Sequence, residues 1–279
     1  MKQGLSELDE KLLVNRREGE VNGEEVILRK EGAVAYIMIN REKALNALNH
    51  RVMTRLDQIF SELEDDEAVL VIVITGAGQK AFVAGADVKE IKEAGDKRTE
   101  VIRQGQEILS KIRSSSKAVI AAINGFALGG GCELAMACDI RIASENAKLG
   151  LPETKLGLMP GYGGTQLLPR LIGTARAKYV ILTGEMITAA EAYQFGLVEK
   201  VCNSENLMDE VNQLAKRIAS NGPLAVKACK RAIHMGMELS LDDALRLELE
   251  KYDKVAHSED AEEGITAFLE KRTPTFKEK

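Results

Sequence analysis

Two carboxylates stand where carboxylates are seldom placed. In ALGGGCELAMACD, residues 127–139, three consecutive glycines run into Cys132 and Glu133, and Leu134, Ala135, Met136 and Ala137 follow. Nothing near Glu133 in the sequence offers a positive partner. It must be exposed, paired through the fold, or kept for chemistry. In LGLPETKLGLMPGYGGTQ, residues 149–166, Glu153 follows Pro152 between apolar turns in a second glycine-rich stretch. Two carboxylates in weakly charged, glycine-rich segments suit acid–base work on an uncharged substrate. Taken singly, each is more often a surface residue or a cap, and a helix N-terminus favours a negative charge through its dipole alone. Gly129, Gly130 and Gly131 add another capacity, because backbone without side chains can come close to a ligand. N–H groups at a helix start point outward unpaired and can hold a negative oxygen. Close helix–sheet packing explains the same glycines equally well.

Other chemistries find less support. TGAGQKA (75–81) follows a strand-like run and fits G-x-G-x-x-A, but the chain continues as FVAGAD rather than opening a helix. No acid ends a second strand about 20 residues on, so a strand-to-loop turn is preferred to a dinucleotide site. The glycine triplet lacks a following Lys-Ser/Thr, which excludes a phosphate-binding P-loop. There is no G-x-S-x-G, and the serines of RSSSK (113–117) read as a connector. The four cysteines (Cys132, Cys138, Cys202, Cys229) show no C-x-x-C spacing and histidines number three, so no metal site is expected and the thiols are read as free. His50 and His234 fall on helical segments, where packed or solvated roles are commoner.

The net charge of −5 gives nucleic acid or an anionic membrane no electrostatic help from the average surface. No apolar run reaches the roughly 18 residues of a membrane helix. The first residues, MKQGLSELDEKLLVNRREGE, lack an apolar signal core, and the cytoplasm is the expected compartment.

The elements that must position the carboxylates follow from periodicity. Residues 1–24 are polar and charge-mixed and are read as an extension. EVILRK (25–30) and AVAYIMI (33–39) predict two strands joined at Glu31-Gly32. Leu48, Val52, Leu56, Ile59, Phe60 and Leu63 have helical spacing over 46–65. VLVIVI (69–74) predicts a strand buried on both faces. A helix over 98–113, a strand over 118–123, a short helix after the glycines and a strand over 139–143 come next. Thr188 and Glu191 form a capping box for a helix stopped by Gly196, and LVEKV (197–201) predicts a strand. Residues 204–271 are almost wholly helical, with Gly222-Pro223 as the firm break. The class is α/β, with a core over 25–203 and a helical C-terminal part over 204–279.

Several of these segments together resemble the crotonase (enoyl-CoA hydratase/isomerase) superfamily, from about residue 25 to the end. They are REKALNAL (41–48), KAFVAGADVKE (80–90), NGFALGGGCELAMACD (124–139), PETKLGLMPGYGGTQ (152–166) and ITAFLEKRTPTF (265–276). The resemblance implies a spiral of ββα units followed by helices that assemble trimers, commonly paired into hexamers. It implies an acyl-CoA thioester as substrate and no separate cofactor, coenzyme A entering with the substrate. It places two backbone donors for the thioester oxygen at Ala86 and Gly130, and the two glutamates of the family's hydratases at Glu133 and Glu153. By the same resemblance Glu133 activates water and Glu153 supplies the proton. Lys43, Ala44, Leu45, Ala84, Asp87, Val88 and Lys89 are implied on the ligand, with Phe268 and Lys271 reaching it from the terminal helices, often those of a neighbouring subunit. Leu167 departs from the arginine usual after GGTQ in hydratases. The expected reaction is reversible addition of water to a 2-enoyl-CoA. Its alternatives are double-bond isomerisation, hydration of a cyclic or dienoyl-CoA, and the RNA binding of some relatives, against which the net charge argues.

Overall fold

The computed structural model describes residues 24–279; the expected extension falls, but for its last residue, outside the described residues. Strands β1 (Val26–Glu31) and β2 (Val34–Ile39) form an antiparallel hairpin around Gly32. Helix α1 (His50–Glu64) follows, started by Asn49, whose side chain accepts the Val52 N–H. From there the chain winds in repeated turns. Each lays down a longer strand, β3 (Val71–Gly76), β5 (Ala118–Ile123) or β7 (Ile140–Ser144). Each then adds a three-residue strand: β4 (Ala81–Val83), β6 (Phe126–Leu128) or β8 (Lys148–Gly150). Helices α2 (Val88–Glu93) and α3 (Arg98–Ser114) lie between β4 and β5, and α4 (Gly130–Ala137) between β6 and β7. Helices α5 (Gly164–Ile172) and α6 (Thr174–Thr183), strand β9 (Ile187–Thr188), helix α7 (Ala189–Phe195) and strand β10 (Lys200–Cys202) complete the spiral. The long strands form a six-stranded sheet in the order β1-β2-β3-β5-β7-β10, parallel from β2 onward. The short ones form a second sheet, β4-β6-β8-β9.

Strand alternation explains why β3 is buried throughout and opens with four β-branched apolar residues. Val71 and Val73 face α8 (Leu207–Ala219) with Leu207, Val211 and Ala215, while Ile72 and Ile74 face the main core with α1. Helices α9 (Pro223–Gly236), α10 (Leu241–Ala256) and α11 (Glu259–Glu270) finish the chain.

Three expectations are corrected. LVEKV does not form a strand from Leu197: Gly196 is left-handed at φ 82°, and the Leu197 and Val198 amides turn back to the Ala192 carbonyl. Pairing with β7 starts only at Lys200. The C-terminal helical stretch has breaks at Ser240 and Ser258 besides Gly222, because each serine side chain accepts an amide of the next helix. The second sheet was not foreseen, since three-residue strands are too short to show periodicity.

That second sheet places the site. Strands β4, β6 and β8 are parallel neighbours, and their C-terminal ends run into Ala84–Ala86, Gly129–Gly130 and Leu151–Glu153. Asn46 ties the entry loop to it. Fully buried and left-handed at φ 58°, it accepts from the Arg41 amide (3.0 Å) and donates to the carbonyls of Ala77 (2.9 Å) and Ala81 (2.8 Å). Asn46→Ala strands these buried groups and adds left-handed strain, at a cost of about 3 kcal/mol or more. The melting temperature should fall by roughly 5–10 °C in calorimetry; an unchanged value would show that this tie carries no weight.

Candidate active site

Glu133 is 1% exposed and lies in the first turn of α4. No cation bonds it among the described residues. Instead its Oε1 accepts the backbone N–H of Tyr162 (2.8 Å) and of Gly164 (2.7 Å). The left-handed Gly163 between them (φ 116°) curls the chain so that alternate amides aim at one oxygen. Burial pushes the Glu133 carboxyl up to about 7, against the pull of these amides, and the Glu153 charge adds to the rise. Glu153 sits in a 3-10 turn, Pro152–Leu156, at the end of β8. Its Oε2 is buried with no hydrogen-bond partner, and burial raises its carboxyl as well. An unpartnered buried oxygen favours the neutral acid, whereas two amides on Glu133 favour the anion. The two side chains line one pocket of about 370 Å³.

Backbone donors complete that pocket. A parallel bridge joins Leu48 to Ala86 through the Gly85 carbonyl and the Asp87 amide, so the Ala86 N–H points the other way. Gly130 is the first residue of α4, where an N–H has no intrahelical acceptor. The two backbones are close: a Cβ on Gly130 would stand 3.3 Å from the Ala86 nitrogen. The glycines are demanded by packing as well as by access, since a Cβ on Gly131 would stand 2.0 Å from the Val83 carbonyl oxygen. The packing explanation of the triplet holds at Gly131, while Gly130 leaves its N–H beside the Ala86 nitrogen.

Of the expected site residues, Ala84, Ala86, Val88, Gly130, Glu133 and Glu153 line the pocket. Asp87 caps α2 and takes an ion pair from Arg41 (3.1 Å), which fixes the turn behind Ala86. Lys43 and Ala44 lie exposed in the turn before Leu45, whose carbonyl accepts the Ala84 amide (3.0 Å). Lys89 is exposed on α2. Phe268 (82% exposed) and Lys271 lie on the terminal helices and do not line the pocket of their own chain. Leu167 packs against the core, outside the pocket. The sequence reading missed Ile102, Leu158, Met159 and Tyr162 on the pocket wall, and the Tyr162 and Gly164 amides. The paired glycines after Tyr162 were the available signal for those amides.

A sequence profile described as enoyl-CoA hydratase/isomerase matches residues 29–279. The chain belongs to this enoyl-CoA hydratase/isomerase family. Among its relatives is the short-chain-enoyl-CoA hydratase of Clostridium acetobutylicum, 48% identical over 88% of this chain and 95% of that protein. The crotonyl-CoA hydratase of Syntrophomonas wolfei is 46% identical over 91% and 98%. The crystal structure of an enoyl-CoA hydratase from Bacillus anthracis superposes with a TM-score of 0.90 at 42% identity, covering 92% of this chain and all of that one. The spiral with its helical end is therefore the crotonase fold.

The raised carboxyl of Glu133 has a consequence for stability in this family member. Its acidity moves from an ordinary 4.5 to about 7 on folding, so the native state is favoured while the group is protonated. That contribution is complete below 4.5 and is lost as pH rises through 7, by about 3 kcal/mol at most. Glu133→Gln keeps an acceptor for both amides and cannot ionise. Denaturant titrations should find it more stable than the wild type at pH 8, with the gain fading at pH 5. A variant less stable at pH 8 would mean that the ionised carboxylate is well accommodated.

Proposed function

We propose that the protein is an enoyl-CoA hydratase, a hydro-lyase that reversibly adds water to a 2-enoyl-CoA to give the 3-hydroxyacyl-CoA. The observation that carries this reading is one pocket lined by two carboxyls that burial makes harder to ionise, beside two unspent backbone amides. In this reading the thioester oxygen accepts the N–H groups of Ala86 and Gly130, which draws electrons from the double bond and stabilises the enolate. Glu133 takes a proton from water as its oxygen bonds to the β-carbon. Glu153 gives its proton to the α-carbon, and in this reading addition is syn, both groups acting on one face of the double bond. The pair ends with its one proton moved between carboxyls, and exchange with water restores it. An acidity near 7 suits a group that must take a proton in one direction and return it in the other. The reaction needs no further cofactor.

The similarity of the whole chain to relatives named as hydratases supports the same reaction over isomerisation. Glu133→Gln and Glu153→Gln should each lower kcat for crotonyl-CoA hydration by about 10²-fold or more while the fold survives. Near-normal hydration in either variant would refute the two-carboxylate mechanism.

We also propose a homotrimer, alone or paired into a hexamer, in the cytoplasm. Ile233, Leu241, Leu249 and Tyr252 are 68–74% exposed on α9 and α10 and frame an apolar groove of about 810 Å³, which a second copy would cover. No helix among the described residues is long and apolar enough to cross a membrane. In the assembly Phe268 and Lys271 would reach a neighbour's substrate, with Lys271 on the 3′-phosphate of coenzyme A. A charge-assisted bond of this kind is worth roughly 1.5–3 kcal/mol. Lys271→Ala should raise KM for acyl-CoA about tenfold and spare a thioester lacking the 3′-phosphate. An equal loss for both substrates would remove Lys271 from that role.

A further inference from the structure

Tyr162 stands between two cavities. The carboxylate pocket of about 370 Å³ has a neighbour of about 410 Å³, lined by Leu48, Met53, Val101, Gly105 and Ile108 among others. The two share Ala86, Ile91 and Tyr162. Ala86 contributes only a methyl and a main-chain donor. Ile91 adds a half-buried side chain from α2, and the aromatic ring of Tyr162, 6% exposed, is the largest side chain of the three. It is wedged between two helices at their glycines. A Cβ on Gly105 of α3 would stand 2.2 Å from the ring, and one on Gly130 of α4 would stand 3.1 Å from it. The backbone of Tyr162 is fixed too, because its N–H is one of the two that hold Glu133. The ring is thus held at both edges by the two helices and at its root by the Glu133 contact.

We propose that Tyr162 is the wall that ends the acyl pocket and restricts the enzyme to short-chain enoyl thioesters. The inference rests on the hydratase reading and adds the residue that sets chain length. With the ring in place, carbons beyond the first few meet an aromatic face. With it removed, they enter a second cavity of mixed lining, where Leu48, Met53, Val101 and Ile108 offer apolar contacts beside Asp57, Glu90 and Glu107. Each buried methylene then improves binding about fourfold. Gly105 takes its meaning from the same contact: a glycine inside a helix is unfavourable and is kept here because the ring occupies its Cβ position.

The test compares crotonyl-CoA with 2-octenoyl-CoA in the wild type, Tyr162→Ala and the milder Tyr162→Leu. Because Tyr162 also positions Glu133, the reading is the ratio of kcat/KM for the two substrates within each variant. Calorimetric binding of butyryl-CoA against octanoyl-CoA reads the same wall without turnover. We expect the octenoyl-to-crotonyl ratio, and the matching binding ratio, to rise at least tenfold in Tyr162→Ala. Adding Val101→Trp, which fills the second cavity from its far side, should cancel that rise in the double variant. The same change in the wild type should leave the ratio unaltered. A ratio unmoved in both Tyr162 variants, or a rise that Val101→Trp does not cancel, would overturn the wall. Failure of the wild type to hydrate either substrate would instead overturn the hydratase reading, and the binding ratio would still decide the wall.

Discussion

The site depends on holding a carboxylate at 1% exposure without a cation. An ion pair would have tied up the charge and left Glu133 an inert acceptor, held firmly as an anion. Two backbone amides from Tyr162 and Gly164 supply enough stabilisation to keep the group in place and too little to restore its ordinary acidity. The balance between desolvation and these dipoles gives the carboxyl its acidity near neutrality. It also explains the clustering of glycine on both sides of the contact. The amides must converge on one oxygen, which needs a curled backbone at Gly163. The helix bearing Glu133 must press against Val83, which needs Gly131.

Convergence of the parts is a property of the second sheet. Three short parallel strands end side by side, and each hands the chain to one component of the site: a donor after β4, a donor and a carboxylate after β6, a carboxylate after β8. Neighbouring strands lie about 4.8 Å apart, so residues distant in sequence arrive within reach of one small molecule. Strand ends at the carboxyl side of a parallel sheet are a common place for ligands for this reason. The larger sheet, with α1 on one face and α8 on the other, supplies the buried area that keeps the smaller one in register.

Much of this was legible in the sequence where a physical signal was long or chemically specific. The paired faces of VLVIVI, the Thr188 cap and the glycine triplet all announce local structure that the fold then keeps. The resemblance named Ala86, Gly130, Glu133 and Glu153 together, and all four line one pocket. What stayed hidden lies in contacts between segments. Gly105 reads as a weak point in a polar helix until the Tyr162 ring is seen against it. Asn46 reads as a loop residue until its amide is found across from Ala77 and Ala81. LVEKV carries strand-forming residues, yet the helix end at Gly196 claims the first two amides. In each case a single tertiary partner outweighs the local preference.

The two carboxyls also constrain one another. Both line one pocket, and the charge of Glu153 adds to the cost that burial sets on ionising Glu133. The unpartnered Oε2 of Glu153 and the doubly bonded Oε1 of Glu133 make the two groups unlike: one is buried without a donor, the other is held by two backbone amides. The arrangement is arrived at by burial and backbone geometry alone, with no charged side chain bonded to either glutamate among the described residues.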